Sequence, residues 1–143
     1  MALIFDIETD GLLEETTKIH SLVIYDTEKD ELYSCHSGVS GITDGKYYSI
    51  EAGISMLEKA EEIAGHNIIK FDLPVIQKLY PTFWTFAQPF DTLLMSKLVY
   101  PDVGEIDYKN IRGGLFPKKL RGRYSLKAWG YRLKEYKGDY CNR

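Results

Sequence analysis

Two carboxylates, Asp6 and Glu8, stand two residues apart at the end of the short apolar run from Ala2 to Ile7. The length of that run predicts a buried strand. Side chains alternate along a strand, so Asp6 and Glu8 project to one face while Phe5 and Ile7 take the other. Two acids at the end of a buried strand repel each other and are costly unless a cation or hydrogen-bond donors compensate. Divalent magnesium or manganese, which prefers carboxylate oxygens, is one compensation. A strand end emerging into water, with both acids solvated, is the other reading. Asp72 follows His66-Asn67 and immediately precedes Leu73-Pro74. It is either the N-cap of a helix or a further metal ligand approaching from a helix start. Asp91-Thr92-Leu93 offers the same choice between a cap and an acid that supports metal ligands from behind.

A fourth group is basic. Lys118, Lys119, Arg121 and Arg123 are followed by Tyr124, Trp129 and Tyr131. Cations interleaved with aromatics hold a single strand through phosphate contacts and base stacking, although a basic solvated loop has the same composition.

The elements that must position these groups follow from periodicity and punctuation. Ile19 to Tyr25 and Glu31 to His36 read as two more strands joined by the polar stretch from Asp26 to Asp30, which makes the first three strands an antiparallel meander. Gly38 to Gly45 reads as a loop. Ser49 caps a helix over Ile50 to Ile63, with Ile50, Ile54, Leu57, Ala60 and Ile63 at helical spacing. Ile63 to His66 is a short strand. A helix from Leu73 runs to about Tyr80, where Pro81 stops it, and another spans Thr92 to Tyr100 before Pro101. Tyr108 to Arg123 reads as a glycine-rich loop. A last helix covers Ser125 to Glu135, with Leu126, Trp129 and Leu133 on one side and Gly130 costing about 1 kcal/mol relative to Ala. Strands first and helices after fit a single α/β domain over 1–143 with a mixed sheet and flanking helices.

Composition limits the classes. The chain has 143 residues, 44% hydrophobic and 27% charged, which suits one globular domain and excludes a disordered or fibrous protein. No apolar run approaches the roughly 20 residues that cross a bilayer, and the N-terminus lacks a secretory pattern. The two cysteines, Cys35 and Cys141, have no metal-ligand spacing and point to a reducing, cytoplasmic setting. Net charge is −3, but it is unevenly spread: residues 101–143 carry 11 Lys/Arg against 5 Asp/Glu, and residues 1–100 carry 7 against 16. An acidic front and a basic back suit metal ions on one side and a phosphate chain on the other, and also suit ordinary drift of surface charge.

Taken together the motifs resemble a known family. Asp-x-Glu on the first strand, His-Asn-x-x-x-Phe-Asp-x-Pro from His66 and Asp-Thr-Leu from Asp91 are similar to the first motifs of the four-acid (DEDD) exonuclease superfamily. More narrowly, the chain resembles the N-terminal exonuclease domain of the family A DNA polymerases of T-seven-type phages. Leu12-Leu13-Glu14, Lys18-Ile19-His20, the Gly-Leu-Phe-Pro-Lys-Lys run from Gly114 and Leu126-Lys127-Ala128-Trp129-Gly130-Tyr131-Arg132-Leu133 carry that likeness. The resemblance implies an RNase H-like fold and two-metal hydrolysis of DNA from its 3′ end, with Asp6, Glu8 and Asp72 as metal-coordinating catalytic acids. It further implies Asp91 and Asn67 supporting the metal site. Thr9 and Leu12 would meet the terminal nucleotide of a single-stranded DNA end, with Lys118, Lys119, Arg121 and Arg123 on the strand. The setting it implies is a phage-infected bacterial cell.

One family feature is absent. The third motif, Tyr-x-x-x-Asp or His-x-x-x-x-Asp, supplies the fourth acid. His20, His36 and His66 come too early, Tyr131 and Glu135 precede the motif's place, and Tyr136 and Asp139 are three apart. The expectation is a fold incomplete at its C-terminal end, weak or inactive alone, whose last acid comes from a DNA polymerase domain or chain. A non-catalytic nucleic-acid-binding or polymerase-accessory module that kept the fold is the alternative.

Overall fold

A computed structural model describes residues 1–39, 42–43 (backbone only) and 47–136. The chain divides into two compact units, Met1–Thr92 and Leu93–Arg143.

The first unit is built on a sheet of seven strands: β1 Ala2–Thr9, β2 Ile19–Asp26, β3 Glu31–His36, β4 Ile42–Thr43, β5 Tyr47–Ser49, β6 Glu62–Gly65 and β7 Gln88–Asp91. Their order is β4-β5-β3-β2-β1-β6-β7. β1, β2 and β3 form the expected antiparallel meander, with Phe5 opposite Ile24 and Leu22 opposite Cys35. β6 and β7 then add in parallel on the other side of β1, so the sheet is mixed. β4 lies inside the segment read as a loop, and the residues flanking it lie outside the described ones. β7 carries Pro89, which has no amide proton to offer a ladder. Its place at the end of the strand order explains why Pro is tolerated there.

The apolar side of the sheet is closed by two helices, α1 Ile50–Lys59 and α2 Leu73–Leu79. Ser49 caps α1 as expected: its Oγ accepts from the Ala52 amide at 3.1 Å. Leu22, Ile24, Leu57, Ile63, Val75 and Ile76 form the centre of the buried core. A π-helical turn, Ile68–Asp72, runs directly into α2.

The second unit is helical. It holds α3 Thr92–Val99 from Leu93 onward, α4 Val103–Arg112, a 3-10 turn at Lys118–Leu120 and α5 Leu126–Leu133. The expected loop from Tyr108 to Arg123 is thus corrected in its first part, where α4 continues to Arg112. Buried Asp107 lies within α4, and Arg132 on α5 pairs with it. Ser125 caps α5 by accepting from the Ala128 amide. Leu126 and Leu133 are exposed and Trp129 is half-buried, so the expected apolar side of α5 is corrected to Ala128 and Gly130.

Candidate active site

β1 alternates as its sequence requires. Leu3, Phe5 and Ile7 are buried, while Ile4, Asp6 and Glu8 are exposed on the opposite face. The parallel ladder between β1 and β6 ends at the pair Ile4 and Ala64. Beyond it the neighbouring chain leaves the sheet. Asn67 takes a left-handed conformation (φ 65°), and the π-helical turn then brings Asp72 back toward the strand. The Ile7 amide, left without a strand partner on that side, donates to Asp72 Oδ2 at 3.3 Å. Gly65 makes the approach possible, since a Cβ there would meet the side chain of Ile68 and the Phe5 carbonyl oxygen at 2.7 Å.

Asp72 is therefore not a helix cap. Its backbone is already helical, and its side chain makes no capping bond. It is only 3% exposed. Burial above all, and then the nearby Asp6 charge, push its carboxyl up to about 7; the Ile7 amide works against this and the Asp91 charge adds to it. A carboxylate in that position is short of positive charge.

Asp91, also 3% exposed, accepts from the Asn67 amide and from the Ile69 amide, both at 3.0 Å. It fastens the turn that leads into Asp72. His66 Nδ1 lies 2.9 Å from Thr92 Oγ1, which donates its proton to the Gly65 carbonyl at 3.2 Å. The hydroxyl has one proton, so the histidine must donate from Nδ1. This leaves Nε2 buried without a partner among the described residues.

After β1 the chain forms a loop closed upon itself. Thr9 Oγ1 donates to the Gly11 carbonyl at 2.7 Å, and the Leu12 carbonyl accepts from the amides of Glu15 and Thr16. Asp10 accepts from Thr16 Oγ1, the Thr17 amide and hydroxyl, and the Lys18 amide. Those donors, the Thr17 hydroxyl foremost, hold its carboxyl well below the usual range. Leu12 stands 74% exposed at the tip.

Asp6, Asp72, Asp91 and the Asn67 backbone thus come together around the end of β1, with Glu8 on the Asp6 face. Asp6, Glu8 and Asp72 suit a hard divalent cation by donor chemistry. Their convergence falls short of the expectation in one respect. Among the described residues, no three acidic, histidine or cysteine side chains are grouped closely enough to hold an ion by themselves. Magnesium-type ions do not require this, because they keep waters and bind through one or two carboxylates plus substrate phosphates. Lys118, Lys119, Arg121 and Arg123 belong to the second unit and are exposed there. Arg121 is already engaged: its Nε donates to the Gly104 carbonyl and its guanidinium lies over the Tyr108 ring. Asp139 lies outside the described residues. Sequence reasoning missed Lys78, whose role appears only when residues 62 to 65 positions apart are brought together.

The chain is 35% identical over 144 residues to the DNA-directed DNA polymerase of Enterobacteria phage T3, a stretch covering 96% of this chain and 20% of that protein. Its relatives are phage DNA polymerases. The polymerase of Escherichia phage T7 gives the same identity and coverage. The chain spans about a fifth of the length of these polymerases, and the likeness runs through both compact units. No protein-family model matches. Among solved structures, the zinc-bound complex of E. coli ExoI with single-stranded DNA superposes with a TM-score of 0.54 at 17% identity, covering 90% of this chain and 34% of that one. That likeness shows the fold, the RNase H-like mixed sheet expected from the motifs.

Proposed function

We propose that this chain is a metal-dependent 3′→5′ exonuclease of proofreading type, acting on the 3′ end of single-stranded DNA beside a phage DNA polymerase in an infected bacterial cell. The single observation that carries the reading is Asp72: a buried carboxyl held against the central strand at the Ile7 amide, with Asp6 near enough to raise its proton affinity. Such an arrangement is costly without a cation, and it stands in a chain that is similar to phage DNA polymerases along 96% of its length. In this reading Asp6, Glu8 and Asp72 hold magnesium or manganese. Two such ions, when bound, supply activation of a water and stabilisation of the leaving 3′ oxygen. Asp91 and Asn67 keep the Asp72 turn in place, Thr9 and Leu12 receive the terminal nucleotide, and Lys118, Lys119 and Arg123 neutralise phosphates. Both units belong to one exonuclease domain, and a polymerase segment or chain supplies the fourth acid.

The chain mixed with 5′-labelled single-stranded DNA and manganese should shorten it slowly from the 3′ end, and Asp6→Ala should reduce that rate at least about 100-fold. Degradation that persists undiminished in Asp6→Ala removes the metal-site assignment. The incomplete grouping of the acids favours one second reading, a nucleic-acid-binding module that kept the fold. Metal-independent binding of single strands, lost on changing Lys118, Lys119 and Arg123 together, distinguishes it.

A further inference from the structure

Lys78 lies near the end of α2, the helix that begins beside Asp72. Its ammonium donates to three backbone carbonyls of the loop that follows β1: Leu13 at 2.9 Å, Glu14 at 3.0 Å and Thr16 at 3.0 Å. An ammonium has three protons, so its donor capacity is filled. The carbonyls come from one short stretch, which is the stretch that closes the Leu12 tip. Asp10 fastens the other side of the same loop through Thr16, Thr17 and Lys18. Leu13 packs inward on the core while Leu12 points out. The helix that delivers Asp72 and the loop that presents Leu12 are therefore joined through one side chain.

We propose that Lys78 is a positioning residue that sets the Leu12 tip relative to the acids of β1 and the π-helical turn, so that a 3′-terminal nucleotide is received in register with them. This rests on the exonuclease reading above. Lys78 commits its ammonium protons to the loop. It acts by removing the loop's freedom, which a flexible loop would otherwise lose on binding.

The test has one arm that does not depend on nuclease function. In Lys78→Met, hydrogen exchange of the Glu15 and Thr16 amides should accelerate at least about 10-fold while the α1 and β2 amides keep their protection. Unchanged exchange in the loop overturns the latch. In the second arm, the affinity for a fluorescent oligothymidylate, measured with calcium, should fall about 10-fold in Lys78→Met and by a similar factor in Leu12→Ala. The double variant should be no weaker than either alone, because both changes remove the same contact. Additive losses overturn the proposal. The salt slope of binding should be the same in Lys78→Met as in the unaltered chain, whereas a drop of about 1 would mean that Lys78 contacts a phosphate directly, which also overturns it. Lys78→Cys alkylated with bromoethylamine restores an ammonium at nearly the same reach and should recover the affinity. Cys141 is replaced by Ser in this variant, and Cys35 will not interfere, since burial pushes its thiol up to about 11. If the unaltered chain binds no oligonucleotide at all, the exonuclease reading fails and the substrate part of this proposal falls with it, while the exchange result alone still decides the latch.

Discussion

Asp72 shows how a site residue conflicts with stability. Its carboxyl ordinarily ionises near 3.8, and in the folded chain it is raised to about 7. The folded state therefore holds the proton more tightly than the unfolded state. Stability from this group is fully present below the unfolded value and is lost as pH rises through about 7. Asp72→Asn keeps an acceptor for the Ile7 amide and removes the charge. In chelator at pH 8 this variant should be more stable than the unaltered chain, by up to about 4 kcal/mol, falling to roughly 2 kcal/mol at pH 5 and vanishing below the unfolded value. Urea unfolding at the two pH values checks this, and a less stable variant at pH 8 counts against a buried, cation-seeking carboxylate. The same variant should lose exonuclease activity, because the carboxylate that costs stability is the one the exonuclease reading assigns to the metal.

At the scale of elements, a second buried acid behaves in the opposite way. Asp107 on α4 accepts from Arg132 Nε at 2.8 Å and Nη2 at 2.7 Å, and from the Gly122 amide at 2.9 Å. Burial acts to raise its carboxyl, but the Arg132 fork and the Gly122 amide outweigh it and the net shift is downward. Its contribution is present above the unfolded value and is lost as pH falls through the folded one. Arg132 Nη2 also donates to the Arg123 carbonyl, so the pair ties α4, α5 and the basic turn together. Asp107→Ala strands a buried guanidinium and should cost about 3–5 kcal/mol, read as a lower urea midpoint at neutral pH. A cost below about 1 kcal/mol would show that the guanidinium finds water instead.

Much of this was legible in the residues. The meander, the Ser49 cap and the one-faced projection of Asp6 and Glu8 follow from local alternation and capping chemistry, which a sequence displays directly. Other features depend on partners far along the chain. Asp72 meets the Ile7 amide 65 residues earlier, so it reads as an ordinary cap until the fold is known. α4 was hidden because Gly113, Gly114 and Gly122 make the stretch from Tyr108 to Arg123 read as a loop, and only Arg132, 25 residues on, allows Asp107 to be buried in a helix. β7 was hidden by Pro89, which an interior strand would not accept.

At the scale of the molecule, the chain joins a mixed sheet bearing acids to a helical unit bearing cations, and the phage polymerases match it across both. Net charge of −3 hides that division, which the two halves of the sequence display. In the exonuclease reading the acids take up a cation and the cations meet phosphate. No helix among the described residues is long and apolar enough to cross a membrane. Everything in this reading turns on the acids around β1 binding a divalent ion. Manganese titrated into the isotopically labelled chain, followed by paramagnetic broadening of its amide signals, tests that directly. The amides from Asp6 to Thr9 and those flanking Asp72 should broaden first and together, and should be spared in Asp6→Ala. Broadening that begins at the acidic surface of α1, or that is unchanged by Asp6→Ala, would contradict it.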